Sequence, residues 1–172
     1  MKKHRLLSIV VLTLFCMVLT ACSQPGEDEF NKGIEAQRQN DLAMAEKMFK
    51  NAIELNAGLA EAHINLGYIY LAQQKFDDAW EQTTIGLEKI KKVKKTIILG
   101  ESWQDQAALA YNNLAKIVFE KALQAKKAGL IEEKKRHQEH TLSLLNQALE
   151  LDPEREMTLK NLSYVQRWIE EQ

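Results

Sequence analysis

The sequence predicts an all-α chain: a stack of antiparallel helical hairpins, about three units long, closed by a single C-terminal helix. One observation is a recurring triplet. Asn31-Lys32-Gly33 returns as Asn65-Leu66-Gly67, Asn113-Leu114-Ala115 and Asn161-Leu162-Ser163, with the closing small residues 34, 48 and 48 positions apart. At the first interval Ala45 also returns as Ala79 and Ala52 as Gly86. A period in this range marks supersecondary units that stack because none can bury its apolar face alone. The other observation is that apolar residues within each unit fall at helical spacing, with a short polar break dividing the unit in two.

The N-terminus stands apart from this pattern. Residues 1–5 are basic, and 6–19 are an apolar or weakly polar run ending in Thr20-Ala21-Cys22. The run is too short for the ~20 residues a spanning helix needs. A positive flank, a short greasy core and small residues at its end predict a secretory signal over 1–21. Leu19-Thr20-Ala21-Cys22 resembles the lipobox of bacterial lipoproteins, which implies cleavage before Cys22 and acylation of its thiol. Cys16 does not compete, because Phe15 is too bulky for the small-residue slot. Processing leaves 151 residues, enough for one core, and removing Lys2, Lys3 and Arg5 takes the formal net charge from −1 to about −4. A weakly acidic chain excludes a general nucleic-acid role. With Cys22 the one remaining cysteine, no intrachain disulfide is available and stability rests on packing.

After a short tether at 22–28, the first unit spans about 29–57. Gly33, Ala36, Ala45, Phe49 and Ala52 form its apolar stripes, and Gln39-Asn40-Asp41 turns between them. The second unit, about 60–97, places Ile64, Leu66, Gly67 and Tyr70 on one helix. It breaks at Gln73-Gln74-Lys75 and resumes with Phe76, Ala79, Trp80, Thr83, Gly86 and Leu87. Gly67 and Ala79 are small where two backbones approach, with Tyr70 and Phe76 filling the space beside them. Each 48-residue interval carries 14 extra residues, close to four helical turns, so the later helices are expected to be longer rather than joined by long loops. The second helix of unit two is thus expected to run through Lys94 to about Ile97. Ser102-Trp103-Gln104-Asp105 reads as a capping box that opens a helix running to Lys127. Residues 131–151 return beside it, completing a third unit at about 102–151. The cap, 154–172, sets Leu159, Leu162, Val165 and Ile169 on one face.

These residues resemble the tetratricopeptide repeat (TPR) family. The matches are Gly33, Ala45, Phe49 and Ala52 in unit one, and Asn65-Leu66-Gly67, Tyr70, Ala79 and Gly86 in unit two. Unit three adds Tyr111-Asn112-Asn113-Leu114-Ala115 and Ala148-Leu149-Glu150-Leu151-Asp152-Pro153, where proline stops one helix and opens the next unit. Lys32 stands where an apolar residue is usual, and Ala57 and Lys91 stand where proline is usual, so unit one is a worn or capping copy. The resemblance implies a right-handed solenoid whose first helices line a concave, partner-binding face. On that face it puts Asn31, Asn65, Asn113 and Asn161, an amide row able to hold an extended peptide backbone. The alternative is that these amides are solvated or bond a neighbouring helix. Beside the row lie Ile34, Tyr68, Leu71, Asn112, Lys116 and Phe119, of which Tyr68, Asn112 and Lys116 join the expected peptide contacts.

Lys89, Lys91, Lys92, Lys94 and Lys95 form a basic run, and Lys126, Lys127, Lys134, Lys135 and Arg136 crowd the tip of the third hairpin, diluted by Glu120, Glu132, Glu133 and Glu139. Such patches suit anionic lipid headgroups or are solvated helix ends. His137 and His140, with Glu133 one turn back, are a possible metal pair, but Gln138 stands where a zinc protease has its glutamate. No nucleophile elbow, phosphate-cradling loop or paired-cysteine motif occurs, so no catalytic residue and no cofactor is expected. Together the residues predict a lipid-anchored adaptor or scaffold that binds a protein or peptide partner in a bacterial envelope. If that envelope is Gram-negative, Ser23 favours the outer membrane, facing the periplasm. The alternatives are a structural homo-oligomer or a metal-dependent site on the His137 helix.

Overall fold

In the computed structural model, which describes residues 24–98 and 100–171, the chain is helical from Glu27 onward. The helices are α1 (Glu27–Arg38), α2 (Leu42–Leu55), α3 (Ala60–Ala72), α4 (Phe76–Val93), α5 (Trp103–Lys127), α6 (Ile131–Leu151) and α7 (Glu156–Glu170). They pack as three antiparallel hairpins, α1/α2, α3/α4 and α5/α6, with α7 against the last, and α3 also reaches α5. Among the described residues there is no strand. The signal segment and Cys22 lie outside the described residues.

The three hairpins share one turn. Asn40, Gln74 and Gly129 take a left-handed conformation, with φ of 57°, 61° and 72°. Each is followed by a backbone N–H that reaches back over the helix end: Asp41 to the Ala36 carbonyl, Lys75 to Tyr70 and Leu130 to Ala125, all at 2.9 Å. These bonds satisfy carbonyls that the helix leaves open. Turning where Gln39-Asn40-Asp41 and Gln73-Gln74-Lys75 break the apolar pattern is what the sequence predicts. Asp41 then caps α2, its Oδ1 accepting the Met44 N–H at 2.9 Å.

Close approach fixes how the hairpin helices cross. A Cβ on Gly67 would stand 3.0 Å from the Thr83 nitrogen and 3.1 Å from the Ala79 carbonyl oxygen. Around such crossings Phe49, Ile64, Ile69, Ile90, Ile117 and Leu145 are fully buried. The small-residue series holds at Gly33, Gly67 and Ala115 and fails at Ser163, which is exposed. The reason is topological: among the described residues α7 has no second helix to cross.

The extra residues of the third unit are helical, as expected. α5 is 25 and α6 is 21 residues long, against 13 for α3. Ser102 and Asp105 form the capping box, with the Asp105 N–H donating to Ser102 Oγ at 3.2 Å and the Ser102 N–H to Asp105 Oδ2 at 2.6 Å. Three expectations need correction. The second helix of unit two does not run to Ile97. Lys94, with φ 53°, ends it at Val93, and the buried Glu61 carboxylate accepts the Ile97 N–H at 2.8 Å, holding 94–98 out of the helix. The tether is shorter than 22–28, because α1 begins at Glu27 and Gly26 is packed on Ala52. On α7 the inner face is set by Thr158, Leu162, Val165 and Ile169, whereas Leu159 is turned to solvent.

Candidate functional site

Two adjoining depressions lie on the face made by the first helices of the hairpins and α7. One, of about 220 Å³, is walled by Asn112, Ala115, Lys116, Phe119, Leu123 and Glu120 of α5 and by Asn161, Tyr164 and Val165 of α7, with Thr141 and Leu145 of α6 at its floor. The other, of about 490 Å³, runs from Tyr68 and Leu71 of α3 and Phe76 of α4 to Lys116, Glu120, Leu123 and Lys127 of α5. Lys116, Glu120 and Leu123 belong to both, so the two form one groove from Tyr68 to Tyr164. Its α5 wall is a helical stripe: residues 112, 116, 119 and 123 recur at spacings of four, three and four.

The groove is amphipathic. Phe119 is buried and meets Tyr164 and Trp168 edge-on, with ring centroids at 5.7 and 5.0 Å. Those contacts seat α7 against α5 and leave Tyr164 more than half exposed at the rim. Asn161 donates to the Asn112 side-chain oxygen at 2.9 Å across the pocket. Lys116 is exposed, and among the described residues neither it nor Glu120 forms an ion pair. An apolar floor beneath unpaired charges and amides suits an extended peptide with an apolar anchor.

Four expected contact residues, Tyr68, Asn112, Lys116 and Asn161, therefore line one groove. The other three do not, and the four-asparagine ladder needs correction. Asn65 is buried and donates to the Glu61 carbonyl of its own helix at 2.8 Å. Asn113 is buried and points back to the Ile64 carbonyl of the preceding unit at 3.5 Å. Asn161 makes the equivalent backward contact, to Asn112. Asn113 and Asn161 thus stitch their helices to the first helix before, Asn65 bonds within its own, and of the row only Asn161 reaches the groove. Asn31 is exposed and lines neither depression, having no earlier helix to face among the described residues. Tyr164, Glu120 and Leu123 were missed by sequence reasoning, although the latter two continue the Lys116 stripe at i+4 and i+7.

His137 and His140 face elsewhere. With Asp77, Trp80, Val118 and Lys121 they border a separate depression between α4 and α6. Trp80 meets the His140 ring edge-on at 6.0 Å. Burial, then the nearby Lys121 and Arg136 cations, hold the His137 imidazole below its ordinary pKa. Among the described residues no group of three His, Cys, Asp or Glu side chains is placed to hold a metal ion.

The fold is that of TPR domains. The chain is similar to the Arabidopsis OM64 TPR domain, at 17% identity and a TM-score of 0.60, over 83% of this chain and 95% of that one. It is similar to the first TPR of Spaghetti (RPAP3), solved bound to HSP90 peptide SRMEEVD, at 13% identity and a TM-score of 0.62, over 88% and 98%. It is also similar to the N-terminal domain of stress-induced protein-1 (STI-1) from C. elegans, at 15% identity and a TM-score of 0.56, over 82% and 94%. No protein-family model and no curated protein matches the sequence.

Proposed function

We propose that this chain is an adaptor that binds a peptide segment of a protein partner in the Tyr68–Tyr164 groove. We further propose that an acylated Cys22 holds it at a bacterial envelope membrane. The observation that carries the first part is the continuity of the groove across α3, α5 and α7, apolar at its floor and unpaired at Lys116. That the similar Spaghetti domain holds an HSP90 peptide supports a peptide as the kind of partner. The second part rests on Leu19-Thr20-Ala21-Cys22 behind a basic flank. No described helix is long and apolar enough to cross a membrane.

Two experiments test the two parts separately. A photo-crosslinking amino acid at Tyr68 or Tyr164 joins a partner protein in cells, whereas the same probe at Lys47, exposed on α2, does not. Equal adducts from all three positions exclude the groove. Cys22→Ala releases the protein from membranes, and its retention after a salt wash excludes the lipid anchor.

A further inference from the structure

The chain enters the fold at the edge where second helices end and first helices begin. Gln24 borders a depression of about 310 Å³ there with Asn56, Gly58, Val93 and Lys95. The entry is fixed. Gly26 is packed on Ala52, where a Cβ would meet the carbonyl oxygen at 2.5 Å, and Glu27 Oε2 accepts the Gln24 N–H at 2.9 Å. Cys22 lies two residues upstream, so even a fully extended chain reaches at most about 7 Å from Gln24.

This edge carries the first basic run. Lys91, Lys92, Lys94 and Lys95 are exposed and Lys89 half-exposed. Lys91 stands over the Tyr111 ring and Lys94 over Trp103, at 5.5 and 5.6 Å. Those contacts hold both charges at the surface. Among the described residues Lys92 and Lys95 form no ion pair. Val93 and Leu55, each 57% exposed, add two bare aliphatic side chains beside the depression. Acids also stand at this edge, Asp152, Glu154 and Glu156 at the end of α6 and the start of α7 among them. Glu61 is buried and bonded to Ile97, Glu101 accepts from Gln106, and Glu27, Asp28 and Glu54 stand on α1 and α2. Glu88 is the exposed acid within the run itself.

We propose that this edge seats on a layer of anionic lipid headgroups, with Lys92 and Lys95 at the phosphates and Val93 and Leu55 turned into the interface. In the cell this rests on the lipid-anchor reading, because an acyl group on Cys22 keeps the depression that Gln24 and Lys95 border close to the headgroups. The second basic patch cannot share the task from the same pose. Lys126 stands at the far end of α5 and Lys134 in the first turn of α6 beyond it, and α5, a helix of 25 residues, is about 37 Å long. Anchoring at one end of the hairpins therefore leaves the other end, and the groove between, open to a partner.

The test uses no acyl chain, so it is independent of the Cys22→Ala fractionation. A chain beginning at Gln24 keeps every core residue from Phe30 to Val165. It is sedimented with phosphatidylcholine vesicles, with or without phosphatidylglycerol. It binds the phosphatidylglycerol vesicles and is released by salt. Lys92→Glu with Lys95→Glu weakens binding about tenfold or more, since each lysine near an anionic surface contributes about fivefold. Val93→Asp also weakens it, and Lys134→Glu with Lys135→Glu leaves it unchanged. Circular dichroism confirms that each variant is folded. No preference for phosphatidylglycerol, or loss in the tip variant with retention in the edge variant, overturns the proposal. Equal binding to soluble polyglutamate with the same lysine dependence also overturns it, because the partner is then an acidic polymer.

Discussion

A side chain at Gly67 would meet Thr83 Oγ1 first and then backbone, the Thr83 nitrogen and the Ala79 carbonyl, and backbone at a helix crossing cannot rotate aside. Gly67→Leu should therefore lower stability by several kcal/mol, since overpacking alone costs about 1–3 kcal/mol and separating the helices adds to it. An unchanged urea midpoint would show that α3 and α4 do not cross there. Electrostatics supplies a second test at this scale. Glu46 is about four-fifths buried and accepts from Lys50 at 2.6 Å and Gln73 at 2.9 Å, with Lys75 at 3.5 Å. The Lys50 ammonium, bonded to the carboxylate, holds its pKa below the ordinary 4.5 against the opposing effect of burial. A depressed carboxylate stabilises the fold above its unfolded pKa and loses that contribution as pH falls through the folded value. Glu46→Gln should cost about 0.5–1 kcal/mol at pH 7, and the gap to wild type should close in acid below pH 4.5. A gap that persists undiminished in acid would mean that the charge is not what Glu46 contributes.

Most elements were legible because they obey local rules. The Ser102 capping box, the left-handed turns in polar breaks and the stop at Leu151-Asp152-Pro153 each depend on a few neighbouring residues. The end of α4 was not legible. Nothing between Ile90 and Ile97 breaks the helical pattern, and no glycine marks Lys94. The helix stops because Glu61, 36 residues away, gives the Ile97 N–H a partner outside it. Gln74 shows the reverse case, a non-glycine residue kept at φ 61° by turn geometry, with its side chain exposed. The left-handed conformation costs an ordinary residue about 1–2 kcal/mol, part of which glycine returns through its freer unfolded chain. Gln74→Gly should thus stabilise by about 0.5–1 kcal/mol, read as a raised melting temperature. A lowered one would mean that the Gln74 side chain contributes contacts beyond the turn.

At the scale of the molecule, the sequence located the face that carries the groove and misassigned part of its row. Asn31, Asn65, Asn113 and Asn161 repeat because each unit repeats, yet a repeated position need not be a solvent-facing one. Which side of a first helix meets the preceding unit depends on how the hairpins rotate as they stack, and no single window of sequence carries that rotation. Tyr164 was hidden for the same reason: it reaches the groove only because Phe119 and Trp168 seat α7 at that angle. The stitching and binding roles should therefore separate on mutation. Asn113→Ala removes a buried bond between units and should cost about 0.5–1.5 kcal/mol of stability, while the folded protein still captures its partner. Lys116→Glu with Tyr164→Ala changes exposed groove residues and should leave the protein folded, with the Phe119–Trp168 contact still seating α7. It should weaken capture about tenfold or more, the scale at which an aromatic anchor and a facing charge act. Capture lost in folded Asn113→Ala but kept in the Lys116 and Tyr164 variant would restore the asparagine row as the recognition element and remove the groove from that role.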